Sequence, residues 1–385
     1  MAKIHITLVG GQPTPVYQGV ILSQPDKIIL ICSKETKSDA EIIKEKLGDL
    51  RYFNVSIETY PIDEPAVVRQ KLEVLLSIFD FTDTDSISMN LSGGVKLWSL
   101  ICLDVCPRNN SHVYCISQNG RVLDIIGQTG QDKVRFDMFT QFILLGNKLT
   151  DYTVFSDYSE QEKENHDILE KIYKNSIFQK LLKLLKAKIS SEVPSSKDLE
   201  NWLKKDRVVE IEDIDDKYIE WHAAEKVFAI SLGEDANQYF EIKGEHALQM
   251  LVNTAWFEYE VAEKLSQIYG AENIYTNCRF FSKKQKDKNE VDIIVNTGQK
   301  LLFVECKTQI FKPTDIDKFH SVVQNYGGNG SKALFITMHQ MSDIQQEKCD
   351  DNQIATYCMY NKDNKQRSTV ELKNAILEFI NIANK

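Results

Sequence analysis

Residues 289–308 read NEVDIIVNTGQKLLFVECKT. Two apolar runs, VDIIV and LLFV, flank Asn296-Thr297-Gly298-Gln299, a turn composition, so the stretch predicts an antiparallel hairpin. The second strand starts apolar and ends in Glu305, Cys306 and Lys307. Side chains two apart on a strand share a face, so Glu305 and Lys307 stand together. An unpaired charge beside a core costs several kcal/mol, and the hairpin supplies a partner by bringing Asp292 to the same end as Glu305. Two carboxylates that close repel unless one is protonated or a cation lies between them. A divalent metal such as Mn²⁺ or Mg²⁺ accepts such oxygen ligands, leaving positions for water and phosphate. With Lys307 beside a metal-held water, the arrangement suits metal-assisted phosphodiester hydrolysis.

Upstream, a helix predicted over about 246–269 places Glu258 on an apolar face with Leu251, Ala255, Ala262 and Leu265, while Glu260 reads as belonging to the more polar side. Glu258 is therefore a third carboxylate candidate, as a metal ligand or an outer support. The bland alternative is a surface salt bridge between Glu305 and Lys307, with Glu258 accepting a hydrogen bond at a helix contact. The spacing D-x12-E-x-K after an inward glutamate is more restrictive than a lone E-x-K and favours the catalytic reading.

The chain has 385 residues, room for two or three domains. Hydrophobic residues at 42% and charged residues at 26% describe an ordinary globular protein. No apolar stretch is long enough to span a bilayer, and the N-terminus reads as a strand and not a signal peptide, so no membrane partner is expected. Eight cysteines without a CxxC pair fit a reduced, cytoplasmic protein. The net charge of −10 is unevenly spread: residues 1–150 carry −2, 151–240 carry −7 and 241–385 carry −1. Overall acidity therefore does not exclude a nucleic-acid partner, and Lys283, Lys284, Lys286 and Lys288 form a local basic run just before the hairpin.

Residues 1–147 alternate strand patterns (3–10, 27–33, 53–60, 86–92) with helix patterns (39–47, 67–79, 96–106) and close with a hairpin at Asn119-Gly120. Their β-branched strands lack alternation, as strands buried on both faces do, so this region is expected to be an α/β, Rossmann-like parallel sheet. Residues 148–240 read as a small α+β connector of helices and a hairpin. Residues 241–385 form a third region, with strands at 273–281, VDIIV, LLFVECK and 333–337 and a helix at 315–325.

Two glycine-rich loops follow strands of the first region. NLSGGVKLW places Ser92, Gly93, Gly94 and Val95 before a helix with Lys96 in its first turn, and VGGQPTPV places Gly10, Gly11 and Gln12 after the first strand. Backbone N–H groups in such turns, with the positive end of a helix, make anion sites. Tight turns without a ligand are the even alternative.

EVDIIV…LLFVECKT resembles the core of PD-(D/E)xK, restriction-endonuclease-like nucleases, with Val291 where proline often stands. The resemblance implies that Asp292, Glu305 and the Cys306 main-chain carbonyl hold a divalent metal, with Glu258 as a further acidic residue and Lys307 assisting the attacking water. SGGVK resembles the (S/T)GGTK loop of CARF domains, with Val95 in place of threonine. The whole chain is similar to the CARF-nuclease fusions of type III CRISPR defence activated by cyclic tetra-adenylate. That similarity implies a homodimer with a two-fold ligand site lined by Gly10, Gly11, Gln12, Ser33 and the 92–96 loop, and DNA or RNA as substrate. Two other readings stand beside it: a nucleotide-sensing regulator that binds nucleic acid without cutting, and a constitutive repair or restriction nuclease.

Overall fold

The computed structural model describes residues 2–382 except 80–85, 108–110, 118–119, 126–129, 132–137, 194–200, 211–215, 245, 253–254, 282–289, 299, 309–311, 329 and 361–365. The first body is a seven-stranded sheet in the order β3-β2-β1-β4-β5-β6-β7. Its strands are Lys3–Leu8 (β1), Lys27–Cys32 (β2), Val55–Thr59 (β3), Ser86–Asn90 (β4), Ser111–Ile116 (β5), Val122–Asp124 (β6) and Gly130–Gln131 (β7). The first five run parallel, β6 pairs antiparallel with β5, and β7 pairs antiparallel with β6. Helices cover both faces, as the unalternating strands require. One face packs Val16 and Val20 of Pro13–Ser23 (α1) with Ala40, Ile43 and Leu47 of Lys37–Asp49 (α2). The other packs Val68 and Leu72 of Pro65–Leu76 (α3) with Trp98 and Cys102 of Lys96–Val105 (α4).

The second large sheet has the order β17-β16-β15-β14-β13-β8. Its hairpin is Glu290–Asn296 (β14) and Leu301–Lys307 (β15), paired antiparallel with Ile293 opposite Val304. The turn is closed by the Thr297 N–H and hydroxyl, which both donate to the Lys300 carbonyl, at 3.1 and 2.9 Å. Lys332–Thr337 (β16) and Ile354–Cys358 (β17) extend the sheet in parallel, and Ile274–Phe280 (β13) flanks β14 antiparallel. Of the helix expected at 246–269, the described residues Ala247–Val252 (α8) and Ala255–Tyr269 (α9) are helical.

Residues 148–240 are built into this second body. Leu149–Val154 (β8) is an edge strand of the large sheet, paired with β13. The helices Glu160–Ile172 (α6) and Ser176–Glu192 (α7) and a four-stranded antiparallel sheet share one core with α9, β14 and β15. That sheet comprises Arg207–Glu210 (β9), Lys217–His222 (β10), Val227–Leu232 (β11) and Tyr239–Lys243 (β12). The short helix Met138–Leu144 (α5) joins the two bodies: Leu144 lies in the core of the first, while Met138 and Phe142 lie in that of the second. Phe142 stands edge-on to Phe280 at 4.9 Å. Among the described residues no helix is long and apolar enough to cross a membrane, and all eight cysteines are free.

Candidate active site

The hairpin delivers Asp292, Glu305 and Lys307 to one end. The Cys306 N–H donates to Asp292 Oδ2 at 2.7 Å, fixing that carboxylate across the two strands. Lys307 Nζ donates to Glu305 Oε1 at 2.6 Å, with both side chains mostly shielded from solvent. Glu258, in the first turn of α9, completes the cluster: the charges of Asp292, Lys307 and Glu305 all act on it.

The electrostatics record three carboxylates crowded around one ammonium. Burial first, then the Asp292 charge, pushes the Glu258 carboxyl well above its ordinary range. The same two causes push Glu305 up to about 7 against the opposing pull of Lys307. Asp292 is raised by burial, although Lys307 and the Cys306 N–H favour its ionised form. Burial alone would lower Lys307, but the Glu305 and Asp292 carboxylates hold it above the usual lysine range. Among the described residues no three His, Cys, Asp or Glu side chains stand in a ligating group; Glu305 faces the lysine and Asp292 the backbone. The donor chemistry nevertheless fits a hard cation, because mutually repelling carboxylate oxygens are the ligands such an ion takes and the repulsion it relieves.

Glu260 departs from expectation. It is not on a polar side: only 2% of it is exposed. Its Oε1 accepts from Gln366 Nε2, and Oε2 has no hydrogen-bond partner. Burial pushes its carboxyl up to about 7. Lys283, Lys284, Lys286 and Lys288 lie outside the described residues.

In the first body the two glycine loops meet. They follow β1 and β4, neighbours whose connections leave in opposite directions along the sheet, which is the switch point where open α/β sheets bind ligands. A Cβ on Gly10 would lie 2.6 Å from the Gly94 nitrogen, and one on Gly93 would lie 2.1 Å from the Leu8 carbonyl oxygen, so both positions need glycine for the loops to touch. Gly94 also has φ +71°. Ser92 is engaged within the fold: its hydroxyl donates to Asn90 Oδ1 and accepts the Ile116 N–H at 2.6 Å. Ser33 is buried, and its N–H donates to the Thr36 hydroxyl at 3.0 Å. Gly11 and Lys96 are exposed, Gln12 and Val95 partly so, and Lys96 opens α4.

A cavity of about 230 Å³ lies beside these loops, with Gln12, Thr14, Gln18, Ser92 and Ser117 on one wall and Lys300 and Gly327 on the other. Sequence reasoning did not reach Thr14, Gln18, Ser117 or Lys300, since none carries a motif. Lys300, at the hairpin turn, is only 5% exposed.

Residues 4–145 match the Card1 CARF domain family. No curated protein is significantly similar to the chain in sequence. Among the solved structures that share its fold are the following three. Can2 from Sulfobacillus thermosulfidooxidans, in complex with cyclic tetra-adenylate, is 17% identical with a TM-score of 0.68, covering 98% of this chain and 99% of that one. Protein VC1899 from Vibrio cholerae is 14% identical with a TM-score of 0.72, covering 98% and 97%. A type III CRISPR defence DNA nuclease activated by cyclic oligoadenylate is 12% identical with a TM-score of 0.56, covering 98% of this chain and 52% of that one. The first body is therefore a CARF domain, Rossmann-like in architecture, carried on a second α/β body. Along nearly its whole length the chain shares the fold of Can2 and of VC1899.

Proposed function

We propose that the chain is a metal-dependent endonuclease of the PD-(D/E)xK kind, switched on by a cyclic oligoadenylate bound at its CARF domain. One observation carries the reading: Asp292, Glu305, Lys307 and Glu258 converge at one end of a hairpin in the chain that also carries a Card1-type CARF domain. Asp292 and Glu305, with the Cys306 carbonyl and Glu258, would hold Mn²⁺ or Mg²⁺. The cation would supply the counter-charge the cluster lacks and acidify a water for attack on phosphorus. Lys307 keeps its proton at neutral pH because of the neighbouring carboxylates, so it acts by orienting water and balancing charge on a phosphate oxygen rather than as a base. The substrate is DNA or RNA, reached in part by the basic run at 283–288.

Cyclic tetra-adenylate is the ring bound in the Can2 structure, and a two-fold ring suits a site made by two copies of one chain. Each copy would offer Gly10, Gly11, Gln12 and the loop of Ser92 through Lys96, with Ser33 behind them. The 230 Å³ cavity supports coupling between the ends, since its far wall includes Lys300, in the turn between β14 and β15. Asn296 is four residues along β14 from Asp292, roughly 13 Å at strand rise, so a shift at the turn passes along a rigid hairpin. The test is purified protein with Mn²⁺ or Mg²⁺ and labelled DNA and RNA, with and without each cyclic oligoadenylate. Cleavage that appears only with the ring supports the reading; cleavage indifferent to every ring removes the gating, and none under any condition removes the enzyme.

A further inference from the structure

We propose that a cavity of about 850 Å³ in the middle of the chain binds a single strand of nucleic acid, away from the carboxylate cluster. The idea rests on the nuclease reading for the identity of the ligand. Its walls come from the segment before β9, the turn between β10 and β11, and the start of α8.

Two independent features point to this ligand. The first is charge. Among the described residues lining the cavity, Lys204, Lys205 and Lys226 face one carboxylate, Asp206, whose Oδ1 already accepts the Ala223 N–H at 2.8 Å. Residues 151–240 carry a net −7, so this rim inverts the sign of the region around it. A polyanion repelled by most of that surface is steered to such a mouth. The second is the floor. Leu203, Trp221, Ala223 and Leu248 make it apolar. It is also preset: Trp221 Nε1 donates to the Leu203 carbonyl at 2.9 Å, and the Trp221 ring packs on Phe228 at 4.5 Å. An apolar floor under a basic rim is the combination single strands use, with bases on the first and phosphates on the second.

The location serves catalysis. Leu248 lies ten residues before Glu258, a stretch that spans at most about 35 Å even fully extended. A strand seated in the cavity is thus held within reach of the cluster, and the cavity would set where along the strand cutting falls.

The test uses the full chain in EDTA, which prevents metal-dependent cutting. Binding of a labelled oligonucleotide is measured across a salt series for wild type, Lys204→Ala/Lys205→Ala and Ala224→Glu, with AMP and inorganic phosphate as competitors. All three substituted positions are exposed, and matched urea midpoints check folding. The lysine variant should flatten the log affinity against log salt slope by about 0.7 per lysine, and Ala224→Glu should weaken binding several-fold. Unlabelled strand should compete far better than AMP at equal phosphate. An unchanged slope overturns the proposal, as does AMP competing as well as the strand, which would make the cavity a free-nucleotide site. Weakened binding beside a wild type that never cuts leaves the cavity standing and removes the nuclease reading; normal binding beside normal cutting does the reverse.

Discussion

Replacing Glu305 by glutamine should make the metal-free protein more stable at alkaline pH while abolishing cleavage. Burial and the Asp292 charge push Glu305 from 4.5 up to about 7. In the unfolded chain the carboxyl ionises near 4.5; in the folded chain it keeps its proton until about 7. The folded state therefore binds more protons across that window, so the stability from protonated Glu305 is fully present below pH 4.5 and is lost as pH rises through 7. A displacement of about 2.5 pH units corresponds to roughly 3 kcal/mol. Glutamine keeps the shape and stays neutral, so Glu305→Gln should gain up to about 3 kcal/mol over wild type at pH 8 and close to nothing at pH 4.5. Lys307 exchanges its charged 2.6 Å partner for a neutral amide oxygen and keeps the Asp292 charge, so the observed gain should fall below that ceiling. Urea unfolding in EDTA at the two pH values measures it. A variant no more stable than wild type at pH 8 would refute the picture of a crowded carboxylate site waiting for a cation.

Glu258→Gln should lower the cleavage rate and raise the Mn²⁺ concentration needed, because it removes a carboxylate from the same cluster; normal turnover with a lower melting temperature would make Glu258 purely structural. Lys96→Glu should move the activator dose–response to higher ring concentration, with activity recovered at saturation because the catalytic residues are untouched; coincident curves would show that this loop is not the sensor. Gly93→Ala puts a Cβ 2.1 Å from the Leu8 carbonyl oxygen, so overpacking should cost about 1–3 kcal/mol and blunt activation, readable as a lower melting temperature and a weaker response to the ring. Glu260→Gln should flatten the fall of stability between pH 5 and 8 without changing the cleavage rate at a fixed fraction folded, since Glu260 is buried against Gln366; an unaltered pH profile would show that its proton is not linked to folding.

What could be read from the sequence was what local periodicity fixes. The hairpin turn and the two-residue strand period already place Asp292, Glu305 and Lys307 together, and the structure keeps that register. The Gly10 and Gly93–Gly94 loops were legible as strand-to-helix turns, and alternating β and α units put both at strand ends. What escaped the reading depends on covers supplied from far along the chain. Glu260 follows Glu258 by two residues, which on a helix points it away from the same face. It is buried because Gln366 and Tyr360 come back over α9, a closure no pattern within 255–269 encodes. Lys300 at a turn reads as solvated, yet it sits 5% exposed in the wall that faces Gln12 and Ser92, a wall that exists only once the two bodies are joined. The strand Leu149–Val154 shows three exposed side chains in a row, so it has no apolar signature and is identified only by its ladder to β13. That strand follows α5, which contributes Leu144 to the core of the first body and Phe142 to that of the second. Together α5 and β8 are thus the continuous covalent and packed link between the CARF domain and the body that carries the carboxylate cluster. A segment that joins two bodies has to satisfy two cores at once, and a helix serving two cores cannot display the single clean stripe that one core would impose.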